Sequence, residues 1–176
     1  MSHPLAIFSP RVGVASETFI RRHVERILPG GTVVVTRKTV HAKPITPDAS
    51  IPVLELDMLR AGMTERSVRS VVRRAGLRLR DPRLTAAKRF LRKHDVEVMM
   101  GEFLDASLMW LPVARELGIR FFGHAHGYDV SSRITDQKWR ADYLRYNDAA
   151  GVITMSRVSR DRLVELGLDQ RNVHLI

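Results

Sequence analysis

Two histidines, a glycine and an aspartate stand directly after one apolar run of the sequence. The run, Ile119 to Phe122, has the length and the apolar character of a buried parallel strand. Beyond it come His124, His126, Gly127 and Asp129. Ligands of open α/β sheets bind outside the carboxyl ends of the strands, so we expect these four residues to lie at a functional edge.

A metal site is one chemistry that these side chains suggest. A His-x-His pair on a strand projects both rings to one side, which makes His124, His126 and Asp129 a candidate ligand set. The sequence offers no clear further ligand, and the spacing is a common one. We therefore expect no metal here, which a zinc titration that leaves the melting temperature unchanged would support.

Strand-like and helix-like segments alternate along the chain, as in a doubly wound parallel sheet. Strands are predicted at residues 5–8, 32–36, 53–56, 96–100, 119–122, 151–155 and 172–176, and helices at 16–28, 58–75, 84–94, 106–117, 134–147 and 156–166. The pattern predicts a single Rossmann-like α/β domain over residues 1–176. The last predicted strand ends at the apolar residue Ile176, where we expect another domain to begin.

Positive charge is concentrated in one segment. Twelve Lys and Arg residues lie from Arg60 to Lys93, against Glu65 and Asp81, and the formal net charge of the chain is +10. Such a face suits phosphates, nucleic acid or anionic lipid. The segment has one aromatic residue, Phe90, and no recognisable nucleic-acid motif, so nucleic acid is the least favoured of these partners.

Features of a secreted or membrane-spanning chain are missing from the sequence. It has no cysteine, its first residues do not form a leader, and no apolar run approaches the length needed to cross a bilayer. We expect a cytoplasmic protein.

Four stretches, taken in order, resemble the N-terminal domain of the retaining family-4 glycosyltransferases, especially the subgroup that builds bacterial polysaccharides such as colanic acid. Residues 10–20 end in Ser-Glu-Thr-Phe-Ile and look like the first loop and helix. Residues 126–129 look like a His-Gly-x-Asp motif, residues 154–167 like a strand with a serine-capped helix and a Leu-Gly exit, and residues 172–176 like the final strand.

The resemblance implies one half of a GT-B architecture, which pairs two Rossmann-like domains. The C-terminal domain, with most of the nucleotide-sugar site and the paired glutamates, has no counterpart in this sequence. The chain is then the acceptor-binding half, with a saccharide or lipid-linked acceptor, a nucleotide sugar as co-substrate and no cofactor, and is expected to be inactive alone. Docking of Arg60 to Lys93 on the inner membrane surface is a further implication. A non-catalytic partner of a separate donor-binding subunit is an alternative.

The resemblance also implies site residues. His126 is predicted to be catalytic, facing the interdomain cleft near the transferred sugar and the donor phosphate. The alternative is a histidine that only hydrogen-bonds backbone at a strand end. Residues predicted to bind substrate are Gly13, Ser16, Glu17, Thr18, Glu102, His124, Gly127, Asp129 and Ser156.

Structural roles compete with binding at several of these positions. Ser16 and Ser156 are suited to cap helices. Glu102 either receives a sugar hydroxyl or is a solvated loop carboxylate. Asp129 either orders its own turn or contacts acceptor hydroxyls. Gly127 is interpreted as permitting a tight turn or the close approach of a ligand.

Overall fold

Seven parallel strands form one sheet in the computed structural model, which describes residues 3–14, 18–40, 51–59 and 81–176. The strands are β1 (Leu5–Val12), β2 (Thr32–Thr39), β3 (Val53–Glu55), β4 (Val98–Glu102), β5 (Arg120–Ala125), β6 (Gly151–Thr154) and β7 (Val173–Leu175). Their order across the sheet is β3-β2-β1-β4-β5-β6-β7. The order reverses between β1 and β4, which is where ligands bind in open α/β sheets.

Helices connect the strands and cover the sheet. Those in the described ranges are α1 (Thr18–Arg26), α2 (Pro82–Lys93), α3 (Leu104–Ser107), α4 (Leu111–Leu117), α5 (Gly127–Ser131), α6 (Gln137–Tyr143) and α7 (Arg157–Leu166). The Rossmann-like α/β prediction is therefore confirmed.

Two predicted helices are shorter than the sequence suggested. The segment 106–117 is divided into α3, a 3-10 turn at Leu108–Trp110, and α4. Pro112, near the start of α4, has no N–H and cannot continue the preceding hydrogen-bond ladder. The segment 134–147 is α-helical only over α6, with 3-10 turns at Arg133–Thr135 and Leu144–Asp148 on either side. The Asp136 side chain accepts the N–H of Lys138 and fixes the start of α6.

The core occupies both faces of the sheet. Side chains of successive strand residues point to opposite faces, so the strands supply two clusters. The larger contains Phe8, Trp110, Phe121 and Tyr146. The smaller contains Ile7, Val24, Val34 and Met100, with Val24 supplied by α1.

The helix caps that the sequence predicted within the described residues lie at the predicted positions. Gly118 (φ +69°) and Gly167 (φ +114°) take the left-handed conformation after α4 and α7. The Ser156 hydroxyl accepts the N–H of Ser159 at 3.1 Å and caps α7, as expected. The Ser16 cap with Glu17, and the predicted helix 58–75 from residue 60 onward, lie outside the described residues. No helix within the described ranges is both long and apolar enough to cross a membrane.

Candidate active site

The carboxyl ends of the central strands bring the predicted residues to one edge of the sheet. Glu102, the last residue of β4, pairs in register with His124 of β5. His126 follows β5 and is the N-cap residue of α5. Gly13 follows β1, which neighbours β4. Gly13 and the His-Gly-x-Asp motif therefore lie at the same edge, as the sequence predicted.

Glu102 is the centre of a buried polar cluster at this edge. Its side chain is 0% exposed. One carboxylate oxygen, Oε1, accepts the Nδ1–H of His23 at 2.6 Å. The other, Oε2, accepts from Nδ1 of His124 at 2.8 Å and from Nε2 of His126 at 2.8 Å. The expectation of a solvated loop carboxylate is wrong, because three imidazoles enclose this group.

The three imidazoles keep Glu102 ionised. Burial by itself would raise the pKa of this carboxyl group. Hydrogen bonds from His124, His126 and His23 outweigh burial and hold the pKa well below its ordinary value. A negative charge is thus buried at the carboxyl edge of the sheet, where hydrogen bonds from the three histidines stabilise it.

His126 turns its ring inward, toward this carboxylate. The rings of Phe19 and Phe103 lie against it, with centroid distances of 4.7 and 4.3 Å. Its side chain retains 16% exposure. The alternative that His126 only hydrogen-bonds backbone is therefore wrong, because its ring bonds a carboxylate. The ring is also more enclosed than expected for a side chain that faces an open cleft.

Phe103 has an unusual backbone conformation next to this cluster. Its φ is +64° and its ψ is 115°, in a region that residues with a side chain rarely adopt. Strained backbone of this kind is concentrated at functional sites. The conformation places the Phe103 ring on His126 while Glu102 points into the cluster.

Asp129 organises the start of α5. Its Oδ2 atom accepts the backbone N–H of His126 at 2.8 Å, and its Oδ1 atom lies 3.5 Å from the Tyr143 hydroxyl. The residue is 0% exposed, and burial raises the pKa of its carboxyl group to about 6 despite backbone hydrogen bonds from His126 and Leu104. These contacts support the structural interpretation of Asp129.

Of the other predicted binding residues, those within the described ranges are exposed near the edge or act in caps. Gly13 has a φ of +89°, which favours glycine in the loop after β1. Thr18 is exposed at the start of α1. Gly127 does not have a positive φ, so its backbone conformation does not require glycine. An added Cβ would meet no atom within 4 Å, so the space beside it is open. Ser16 and Glu17 lie outside the described residues.

The potential metal ligands differ from the predicted set. His23, Glu102 and His124 offer ligand atoms that all lie within 4.8 Å of one another. Two histidines with one carboxylate form a donor set that zinc uses. The expectation that no metal binds here stays a prediction for the zinc titration. In this structure the Nδ1 atoms of both histidines lie 2.6 and 2.8 Å from the carboxylate oxygens, at hydrogen-bond distance. The cluster is therefore described as a hydrogen-bond network.

Sequence reasoning missed His23. It is on α1, 79 residues before Glu102 in the chain, and no motif connects the two positions. The available signal was its place on the apolar face of the helix, three residues after Ile20 and next to Val24, both of which are buried. A titratable side chain on such a face needs a buried partner.

Comparison with known proteins identifies the family. The sequence profile of Glycosyltransferase Family 4 matches residues 32–176, most of the chain. The chain belongs to this family. The matched span contains Glu102, His124 and His126, whereas His23 precedes it. No curated protein matches the sequence.

Solved structures share the fold of this family 4 domain. Anabaena Alr3699/HepE, crystallised with UDP and glucose, is 14% identical with a TM-score of 0.68, over 99% of this chain and 44% of that chain. Sucrose-phosphate synthase from Thermosynechococcus elongatus is 15% identical with a TM-score of 0.62, over 99% of this chain and 47% of that chain. UDP-GlcNAc 2-epimerase from Methanocaldococcus jannaschii is 12% identical with a TM-score of 0.56, over 98% and 45%.

The domain spans less than half the length of each of these three proteins. Its sheet is the Rossmann-like half of a GT-B fold, as predicted. At these identities the matches show the fold alone, and they include an epimerase as well as a synthase. The family assignment therefore rests on the sequence profile, and the colanic acid subgroup stays a prediction.

Proposed function

We propose that this domain is the acceptor-binding half of a retaining glycosyltransferase that moves a hexose from a nucleotide sugar to a saccharide or lipid-linked acceptor in polysaccharide biosynthesis. The observation that carries the proposal is the match to Glycosyltransferase Family 4 over residues 32–176. The donor site belongs to a second Rossmann-like half, so the 176-residue chain is expected to bind acceptor without transferring sugar.

His126 has the central role in this proposal. It stands at the first turn of a helix beyond β5, with Gly127 and open space beside it. Because its ring is held by Glu102 and by two phenylalanine rings, its orientation is set before substrate arrives. Because Nε2 of His126 already bonds Glu102, a hydrogen bond from this ring to the sugar or to the leaving diphosphate requires the doubly protonated imidazole, with Nδ1–H turned from the Asp129 backbone to the substrate.

The acceptor is proposed to reach this edge from a membrane surface. Helix α2 exposes Arg89, Arg92 and Lys93, while Leu91 is buried and Phe90 packs against the core. The apolar side chains of this helix are therefore directed into the protein. Contact with an anionic inner leaflet would depend on the cations, each contributing about 1 kcal/mol.

Binding of octyl glycosides tests the acceptor role. Octyl β-glucoside and octyl β-galactoside, added separately at millimolar concentration to the ¹⁵N-labelled chain, are expected to shift amide signals of Gly13, Phe103 and residues 126–129. The His126→Ala variant should weaken binding, while His174→Ala, which removes an exposed histidine of β7, should not.

Each outcome of this experiment is informative. Shifts confined to the carboxyl edge support the acceptor site. Absence of binding by both glycosides, or shifts only at the opposite edge, would contradict it. Sugar transfer from UDP-glucose by the 176-residue chain alone would contradict the proposal that the donor site belongs to the second half.

A further inference from the structure

Arg133 is held in one orientation by three side chains. Its Nε–H donates to Oδ2 of Asp105 at 2.6 Å. Its guanidinium carbon lies 5.1 Å from the centroid of the Tyr128 ring and 5.3 Å from that of the Trp139 ring, which are distances of cation–π contacts. Asp105 follows the end of β4 and Tyr128 follows the end of β5. The guanidinium group therefore lies at the carboxyl edge, beside the proposed acceptor site.

The terminal nitrogens of this group are available to a ligand. Nη1 and Nη2 of Arg133 make no hydrogen bond to any residue that the structure describes, and the side chain is 36% exposed. The Asp105 side chain that holds Nε is only 13% exposed. Lys138, whose ammonium nitrogen lies 5.0 Å from the centroid of the Trp139 ring, adds a second positive charge to this surface. A guanidinium group fixed in this way presents a planar fork of N–H donors, which matches the oxygens of a carboxylate or a phosphate.

Resting on the proposed function, we infer that Arg133 binds an anionic group of the acceptor, either a carboxylate on a sugar or the phosphate that joins a sugar to a lipid. Both groups offer two or more oxygens to the free Nη1 and Nη2 donors. Asp105 and the two aromatic rings orient the guanidinium group in the free protein, so little ordering is left for the binding step. The domain therefore prefers an acidic acceptor to a neutral one of the same shape.

A matched pair of glycosides tests this preference. Octyl β-glucuronide carries a carboxylate where octyl β-glucoside carries a hydroxymethyl group. Each is titrated into the ¹⁵N-labelled 176-residue chain at neutral pH and physiological ionic strength. The glucuronide is expected to bind about tenfold more tightly, as one charge-assisted interaction at a partly exposed site allows. It should also shift the Nε–H signal of Arg133. Equal binding of the two glycosides would overturn the inference.

Substitutions assign the preference to Arg133. Arg133→Gln removes the charge and the fork and should abolish the preference, while Arg133→Lys keeps the charge alone and should retain only part of it. Arg120→Gln removes the same charge from an exposed residue at the opposite end of β5 and should leave the preference unchanged. A preference that survives Arg133→Gln, or that Arg120→Gln removes equally, would overturn the inference.

Two smaller probes identify the source of the anion. Tighter binding of α-glucose 1-phosphate than of free glucuronate supports a lipid-linked phosphate, and the reverse order supports an acidic sugar. A shift of the Arg133 signal by UDP, with none from either probe, would assign the group to the donor and overturn the inference.

Failure of the proposed function has a different signature. If octyl β-glucoside shifts the amides of residues 126–129 and the glucuronide gains nothing, the inference fails and the acceptor site stands. If the glucoside shifts no amide at the carboxyl edge, the acceptor role fails, and the Arg133 signal with glucuronide still decides whether the anion site exists.

Discussion

Glu102 is the residue on which the site depends most directly. Its ionised carboxylate is fully buried and receives N–H groups from His23, His124 and His126. Replacement by glutamine keeps the shape but removes the charge, and one amide oxygen cannot accept three donors. We expect Glu102→Gln to lower the free energy of unfolding at pH 7 by about 2 to 4 kcal/mol, measured by urea denaturation.

Two comparisons make this prediction specific. Glu97→Gln, at an exposed position just before β4, should change stability little. The pKa of Glu102 is lowered in the folded state, so its contribution is present above the ordinary value of 4.5 and is lost as pH falls below it. A wild-type advantage over Glu102→Gln that grows toward acid pH would contradict the assigned charge state.

Asp129 has the opposite pH dependence. Burial raises the pKa of its carboxyl group from 3.8 to about 6, so folding favours the protonated form. Stability associated with this residue is present below pH 4 and is lost as pH rises through 6, by about 3 kcal/mol in total. Relative to Asp129→Asn, the wild-type protein should lose most of this amount between pH 4 and pH 7. A ¹³C titration of the carboxyl group with a midpoint near or below 4 would refute it.

At the scale of elements, close packing between the sheet and its helices limits the size of the side chains that the strands can accommodate. A Cβ atom at Gly123 of β5 would lie 2.5 Å from the Tyr146 ring, whose hydroxyl donates to Leu104 at 2.7 Å. We expect Gly123→Ala to destabilise the protein by about 1 to 3 kcal/mol in thermal or urea unfolding, because the buried ring has little room to move.

Gly127→Ala is the matched control for this substitution. It adds the same methyl group four residues later, where nothing lies within 4 Å and φ is not positive. Its stability should stay near that of the wild type. Equal destabilisation by the two substitutions would mean that loss of glycine flexibility, and not the Tyr146 contact, is responsible.

The strands could be predicted from the sequence because their signal is local. Parallel strands buried on both faces appear as short, nearly continuous apolar runs, such as residues 32–36, and they were placed correctly. Helix α5 was not predicted, because five residues are too few to show a helical period. The partner of Glu102 on α1 was not predicted either, since that contact depends on how the helix packs across the sheet.

At the scale of the whole molecule, surface charge determines the predicted encounter with membranes. Within the described residues, α2 presents Arg89, Arg92 and Lys93 on its exposed side. The protein should float with vesicles of phosphatidylcholine and phosphatidylglycerol, but not with phosphatidylcholine alone. Triple replacement of these residues by glutamine should weaken recovery, as expected for a loss of about 3 kcal/mol.

A charge-matched variant separates position from net charge. Replacement of Arg140, Arg145 and Arg157 by glutamine removes the same charge from other exposed sites. This variant should float nearly as well as the wild type. Equal losses in the two triple variants would show that the attraction is general and that α2 has no special part in it.

Three histidines from different parts of the chain bind one carboxylate, and this arrangement constrains which substitutions the domain can accumulate in evolution. The imidazoles belong to α1, to β5 and to the N-cap of α5, so the Glu102 carboxylate connects these three elements by hydrogen bonds. His124 and His126 also share a single oxygen atom, so the loss of one leaves the other still bound. Substitutions of these histidines are therefore expected to be epistatic, so that each costs less stability alone than in combination. Glu102, in contrast, is expected to be replaced only together with several of the histidines.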